Sequence, residues 1–159
     1  RMNPALDRIT PSLIRAIAAR RRTGDIDLGL GEPTLRPDPA PFEHAMQRVR
    51  AEGTPYSPNA GFPALREAVG RTYGTPGRDG AENVCITVGS EEALYLAVKV
   101  LADPACDEVL TVEPGYLAYP KFCALEGIAH RAVALSATDG FAPRADAVLD
   151  ALGPSTRVV

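Results

Sequence analysis

The rhythm of apolar and polar positions along this 159-residue chain changes near residue 83. Before it, residues 4–22 read as a short amphipathic helix followed by Gly24. Phe42, Met46 and Val49 recur at i, i+4 and i+7 and mark a helix that closes at Gly53; Leu65, Ala68 and Val69 mark another that ends near Gly74. Between them, "IDLGLGEPTLRPDPAP" (26–41) is too crowded with prolines to be a helix interior, because each proline removes a donor and blocks the preceding turn. It reads as an extended arm, and "YSPNAGFP" (56–63) as a second loop.

After residue 83 the pattern alternates. A strand over 84–88 leads to a helix over 91–102, then a strand over 109–112, a helix over about 117–126, a strand over 128–135 and a helix over 143–152. Alternation of this kind predicts an α/β fold with a mostly parallel sheet and crossover helices, preceded by the N-terminal helix and arm. The helix after Gly89 places Leu94, Ala97, Val98 and Leu101 on one face. Ala93, Leu96 and Val100 widen that stripe, as expected of a helix covered on two sides. The last residues, "STRVV", read as the opening of a further strand, so the sequence is expected to be the N-terminal part of a larger protein.

Composition narrows the function classes. A net charge of −3 and no clustered basic face argue against nucleic-acid binding. The one basic run, Arg20-Arg21-Arg22, reads as the dipole complement closing the first helix. Cys85, Cys106 and Cys123 show no CxxC spacing; Cys85 and Cys123 fall in apolar patterns and read as core residues, so neither a metal site nor a disulfide is expected and a reducing compartment fits. The longest apolar run, Ala93 to Val98, is cut by Lys99, far short of a membrane span, and no apolar signal core precedes it. A soluble, cytoplasmic protein is expected.

The stretch "VCITVGSEEALYLAVKVLAD" (84–103) carries the candidate chemistry. A β-branched run, a glycine turn and a helix start make a seat for an anion, with backbone N–H groups at 90–92 as donors and the Ser90 hydroxyl as one more. Gly89 would let the backbone approach closely. The same residues also describe a helix with no ligand, capped by Ser90 and with Glu91 and Glu92 favouring its dipole. Two other phosphate motifs are absent: there is no GxxxxGK[ST], and "GLGEPT" (29–34) has two of the three glycines of GxGxxG and runs into proline.

Four segments, "LGLGEP" (28–33), "YSPNAGFPALREAV" (56–69), "ITVGSEEAL" (86–94) and "DEVLTVEPGYLAYP" (107–120), together resemble the pyridoxal-phosphate aminotransferases of fold type I, class I/II. The resemblance covers essentially the whole chain. It implies a homodimer, with 1–53 contributing an N-terminal helix and arm to the small domain and dimer contact, and 54–159 the first part of a large domain that binds pyridoxal 5'-phosphate. Carried over, Gly89, Ser90 and Glu91 match the phosphate-binding turn, and Tyr116 the aromatic that stacks on the pyridine ring. Tyr56 matches the tyrosine that reaches the phosphate of the partner subunit, and Gly31 the glycine that contacts the substrate carboxylate. Each has a plainer alternative: a core or loop tyrosine, or a turn glycine. Tyr119 is expected to pack near Tyr116, while His44 and His130 match no catalytic position and read as surface or packing residues.

The implied reaction is transfer of an amino group from an amino acid to a 2-oxo acid. It needs a lysine that forms a Schiff base with the cofactor and then moves a proton. Lys99 lies about 13 Å beyond Ser90 on the opposite face of one helix, and Lys121 follows Pro120 and matches no lysine of the family. The Schiff-base lysine, the aspartate that pairs the pyridine nitrogen and the carboxylate-binding arginine are therefore expected beyond Val159, and this chain alone is expected to be inactive. A C–S lyase working by β-elimination and a non-catalytic aminotransferase-like sensor domain share these motifs.

Overall fold

A computed structural model of the chain describes residues 4–9, 12–26, 28, 29, 31 and 33–159, with backbone only at Ala5 and Arg8. Part of the expected first helix, at 10 and 11, and part of "LGLGEP", at 30 and 32, lie outside the described residues. The chain divides into two compact units, 1–23 with 88–159, and 24–87.

The first unit is α/β. Its sheet has three parallel strands in the order β2-β1-β3: β1 is Glu108–Glu113, β2 Ala129–Ala134 and β3 Thr156–Val158. β1 pairs along its whole length with β2, from Glu108↔Ala129 to Glu113↔Ala134. With β3 it pairs at Glu108↔Thr156 and Val109↔Val158. Helix α1 is Leu13–Ala18, α4 Gly89–Leu101, α5 Tyr119–Glu126 and α6 Ala145–Asp150. Parallel neighbours need such helices, because the chain must return to the same end of the sheet before each new strand.

The core forms where α4 and α5 meet the sheet. Val98 and Ala102 of α4 and its C-terminus pack with Val109, Phe122, Cys123 and Ile128. Two polar ties fix α4. Lys99 Nζ donates to Glu126 Oε2 at 2.7 Å, and the Tyr95 hydroxyl donates to the other oxygen of Glu126. Arg157 Nε of β3 donates to the Leu101 carbonyl at 3.3 Å. At the amino ends of the strands, Arg131 of β2 donates to both oxygens of Glu108 at 2.9 and 2.8 Å and to the Ala151 carbonyl at 2.6 Å. Thr156 of β3 donates to Glu108 Oε1 at 3.1 Å, so one carboxylate joins all three strands. Beyond Val109, the β3 side of β1 faces a cavity of about 290 Å³ lined by Leu94, Val98, Val112, Val148 and Val158, among others.

The second unit holds α2, Ala40–Glu52, and α3, Pro63–Tyr73. Both end at the expected glycines, Gly53 and Gly74, and both have proline in the first turn, where its missing N–H costs nothing. The described residues of 26–39 form no helix or strand, as the prolines require.

Five local expectations are corrected. The N-terminal helix is broken: Pro4–Arg8 is a short 3-10 helix, and α1 begins after an extended Ser12 (φ −63°, ψ 121°). A continuous helix would have needed a donor at position 11, where the sequence has proline. Arg20-Arg21-Arg22 then follow the end of α1 and do not close it; the Arg20 and Arg21 N–H groups donate to Ile17 and Ala18 in the turn after it. The run 84–88 is no strand. Val84 is extended, but its carbonyl accepts from Arg66 Nε at 2.7 Å and the Ile86 N–H donates to Ala60, so no described strand lies beside it. Cys85, in that run, is exposed, whereas Cys123 is fully buried as expected. Finally, α4 is covered on one side: Val98 is buried, and Leu96, Val100 and Leu101 remain exposed.

No helix among the described residues is long and apolar enough to cross a membrane.

The Arg131 hydrogen bonds hold the Glu108 carboxyl below its ordinary value of 4.5, against the opposing effect of desolvation. A carboxylate lowered in the fold stabilises it above that value, and the contribution is lost as the pH falls through the folded-state pKa. Arg131→Ala is therefore expected to lower the melting temperature at neutral pH and to cost less in acid. A deficit equal at about pH 7 and about pH 3 would contradict this.

Candidate functional site

Helix α4 begins at Gly89, with Val88 at the N-cap position (φ −78°, ψ 72°) and no side-chain cap from that residue. Valine has no acceptor to offer a helix start. Ser90 is thus the second residue of the helix and not its cap, a correction to the sequence reading. Gly89 is the cause: it takes φ +78°, a left-handed conformation that turns the chain into the helix one residue early. A Cβ at 89 would meet no other atom within 4 Å, so it is the backbone angle that calls for glycine within this chain.

Ser90, Glu91 and Glu92 are all exposed, and both glutamates lie in the first turn. The N–H groups of a first turn have no carbonyl partner within their helix, and the helix dipole adds positive potential there. Glu92 reaches back, its carboxylate accepting a hydrogen bond from the Val88 N–H.

The second component follows β1. The chain leaves Glu113 through Pro114 and Gly115 to Tyr116. A Cβ on Gly115 would stand 2.3 Å from the Val112 carbonyl oxygen, so the turn closes only with glycine. Tyr116 is 50% exposed and meets the Tyr119 ring edge-on, with centroids 5.4 Å apart and planes at 82°. Tyr119 in turn meets Phe122 (6.4 Å, 85°), and Phe122 meets Tyr95 (5.5 Å, 64°). A ladder of four rings thus runs from the core to Tyr116, and Tyr119 packs beside it as expected. Tyr116, Thr111, Glu113 and His130, among others, line a concavity of about 160 Å³. The Nε2 of His130 lies 2.9 Å from Thr111 Oγ1, a packing role for that histidine.

Topology places both components at one edge. The C-terminal end of α4 is tied to Arg157 of β3, beside the amino end of β1. Because α4 runs beside α5 in the same direction, Tyr95 meeting Phe122 and Lys99 meeting Glu126, its first turn points toward the edge from which α5 starts, where Tyr116 sits. Ligands of open α/β sheets bind at that edge. Gly89, Ser90, Glu91 and Tyr116 therefore belong to one unit and one sheet edge. Gly31 and Tyr56 belong to the other unit: Tyr56 is fully exposed in its loop, and the space around the Gly31 Cα is open.

Lys99 stands near the far end of α4, away from this edge. Lys99 is bonded to Glu126, stands 5.7 Å from the Tyr95 ring centroid, and has its pKa raised by the Glu126 hydrogen bond. An amine that attacks a carbonyl needs the opposite shift. Lys121 lies in the first turn of α5, next to Pro120. Sequence reasoning missed the backward reach of Glu92, for which an i, i+4 carboxylate is a weak signal, and the aromatic ladder, whose Tyr119–Phe122 step is a readable i, i+3 pair.

Comparison with known proteins agrees across sequence and structure. The family model "Aminotransferase class I and II" matches residues 23–159. A probable aspartate/prephenate aminotransferase of Thermus aquaticus is 32% identical over 91% of the chain and 38% of its own length. An aspartate aminotransferase of Pyrococcus horikoshii is 35% identical over 84% of the chain and 34% of its own length. The solved aspartate aminotransferase of Thermus thermophilus with maleate superposes with a TM-score of 0.81 at 29% identity, over 98% of this chain and 43% of that one. The chain thus spans well under half the length of these relatives.

Gly115→Ala is expected to cost about 1–3 kcal/mol, as overpacking does, and to change the near-ultraviolet circular dichroism of the tyrosine ladder. An unaltered spectrum with unaltered stability would refute the close approach to Val112.

Proposed function

The chain belongs to the class I and II aminotransferase family, and we propose that the whole protein transfers an amino group from an amino acid to a 2-oxo acid with pyridoxal 5'-phosphate as its cofactor. One observation carries the reading: an exposed helix start, whose N-cap Val88 brings no side-chain acceptor, and a half-exposed tyrosine share the carboxyl edge of a parallel sheet.

The residues present suit the cofactor. Ser90 and Glu91 contribute backbone N–H groups, and Ser90 a hydroxyl, at the positive end of a 13-residue helix. That donor set suits a phosphate dianion. Gly89 sets the turn that aims it, and the Tyr116 ring, braced by Tyr119, offers a face to an electron-poor heterocycle. When bound, the cofactor supplies an electron sink for the pair left as the amino-acid Cα–H bond breaks. This chain's part is to hold and orient the cofactor at its phosphate and its ring.

In the whole protein we assign 1–53 to the N-terminal helix and arm of the small domain and dimer contact, and 54–159 to the cofactor-binding domain. Tyr56 is assigned to the phosphate of the partner subunit in a cytoplasmic homodimer, and Gly31 to the substrate carboxylate. Lack of a side chain at Gly31 and full exposure of Tyr56 support those assignments.

Incubating the whole protein with an amino acid should yield a new amino acid only when a 2-oxo acid is added. Release of pyruvate and ammonia without an oxo acid would replace the reading with β-elimination. Ser90→Ala is expected to weaken cofactor binding roughly tenfold, the loss of one hydrogen bond to a charged group, as measured by absorbance titration of the cofactor-free protein. Unchanged affinity would remove Ser90 from the site.

A further inference from the structure

We propose that Glu92 is a positioning residue for the anion seat at the start of α4, an inference that rests on the reading of that seat given above. The N-cap residue of this helix supplies no capping side chain. Val88 fills the N-cap position without an acceptor, and Gly89 reverses the chain at φ +78°. Glycine in that conformation is permissive and does not hold a turn by itself. The Glu92 carboxylate, one turn ahead, accepts the Val88 N–H and ties the reversal to the helix.

The consequence is directional. The Val88 donor is drawn back onto the helix's own carboxylate, whereas the Ser90 and Glu91 N–H groups have no acceptor within the helix. With the turn tied, those donors keep a common aim toward the ligand. Glu91 provides a contrast: it carries the same charge at the adjacent position and is equally exposed, yet among the described residues no side-chain bond joins it to the turn.

Charge and positioning predict opposite signs. A carboxylate in the first turn repels a phosphate dianion, so a purely electrostatic Glu92 would strengthen binding when removed. A positioning Glu92 would weaken it.

The test uses the whole protein, freed of cofactor, and reads its affinity for pyridoxal 5'-phosphate divided by its affinity for pyridoxal, which lacks the phosphate. Glu92→Ala is expected to lower that ratio about fivefold, the effect of a hydrogen bond of ordinary strength. Glu92→Gln, whose amide oxygen still accepts from Val88, keeps the ratio within about twofold of the parent or raises it. A ratio that is unchanged or raised in Glu92→Ala overturns the proposal, and a variant that only loosens the fold lowers both affinities together and leaves the ratio unchanged. A ratio near one in the unsubstituted protein instead overturns the phosphate seat itself, so the two failures are distinguishable.

Discussion

Burial of β1 is the constraint from which the rest of the α/β unit takes its position. Val109 and Leu110 are 2% and 0% exposed, with side chains on opposite faces of the strand. Burying each contributes about 1.5–3 kcal/mol, and both are covered only if helices and strands close around this one segment. β2 aligns with it residue for residue, β3 joins its amino end, and α4 and α5 pack over Val109 through Val98, Phe122 and Cys123.

The two edges of the sheet then differ in kind. At the amino edge, Arg131, Glu108, Thr156 and the Ala151 carbonyl satisfy one another in a single network. At the carboxyl edge, the Glu92 carboxylate folds back onto the Val88 N–H at the exposed start of α4, and the chain leaves β1 through a glycine turn to Tyr116. Polar groups satisfied at one end give rigidity. The anion seat proposed above lies at the other. Family membership supplies the reason to read that edge as a cofactor seat.

The aromatic ladder links these levels. Tyr116 is half exposed, but its position is set through Tyr119 and Phe122 to Tyr95, which is itself bonded to Glu126. The tie between α4 and α5 therefore reaches the ring that would face a ligand. It also engages Lys99, holding its amine charged and away from carbonyl chemistry.

Local signals determined much of this protein from sequence alone. Glycine and proline placed the ends of α2 and α3, and the alternation after residue 83 placed β1, β2 and β3 in a parallel sheet with α5 and α6 between them, because backbone constraints and apolar periodicity act over a few residues. Gly89, Ser90, Glu91 and Tyr116 were legible for the same reason, as a turn into a helix and a loop after a strand. What required tertiary structure was everything that depends on a neighbour distant in sequence. The β-branched run 84–88 has strand composition, but its hydrogen bonds go to Arg66 and Ala60. Cys85 and Cys123 sit in similar apolar patterns, yet only Cys123 is buried. A serine before two glutamates reads as a cap, and only the left-handed turn at Gly89 moves it inside the helix. Composition states what a segment can bury or bond; the partner that the fold brings to it decides what it does.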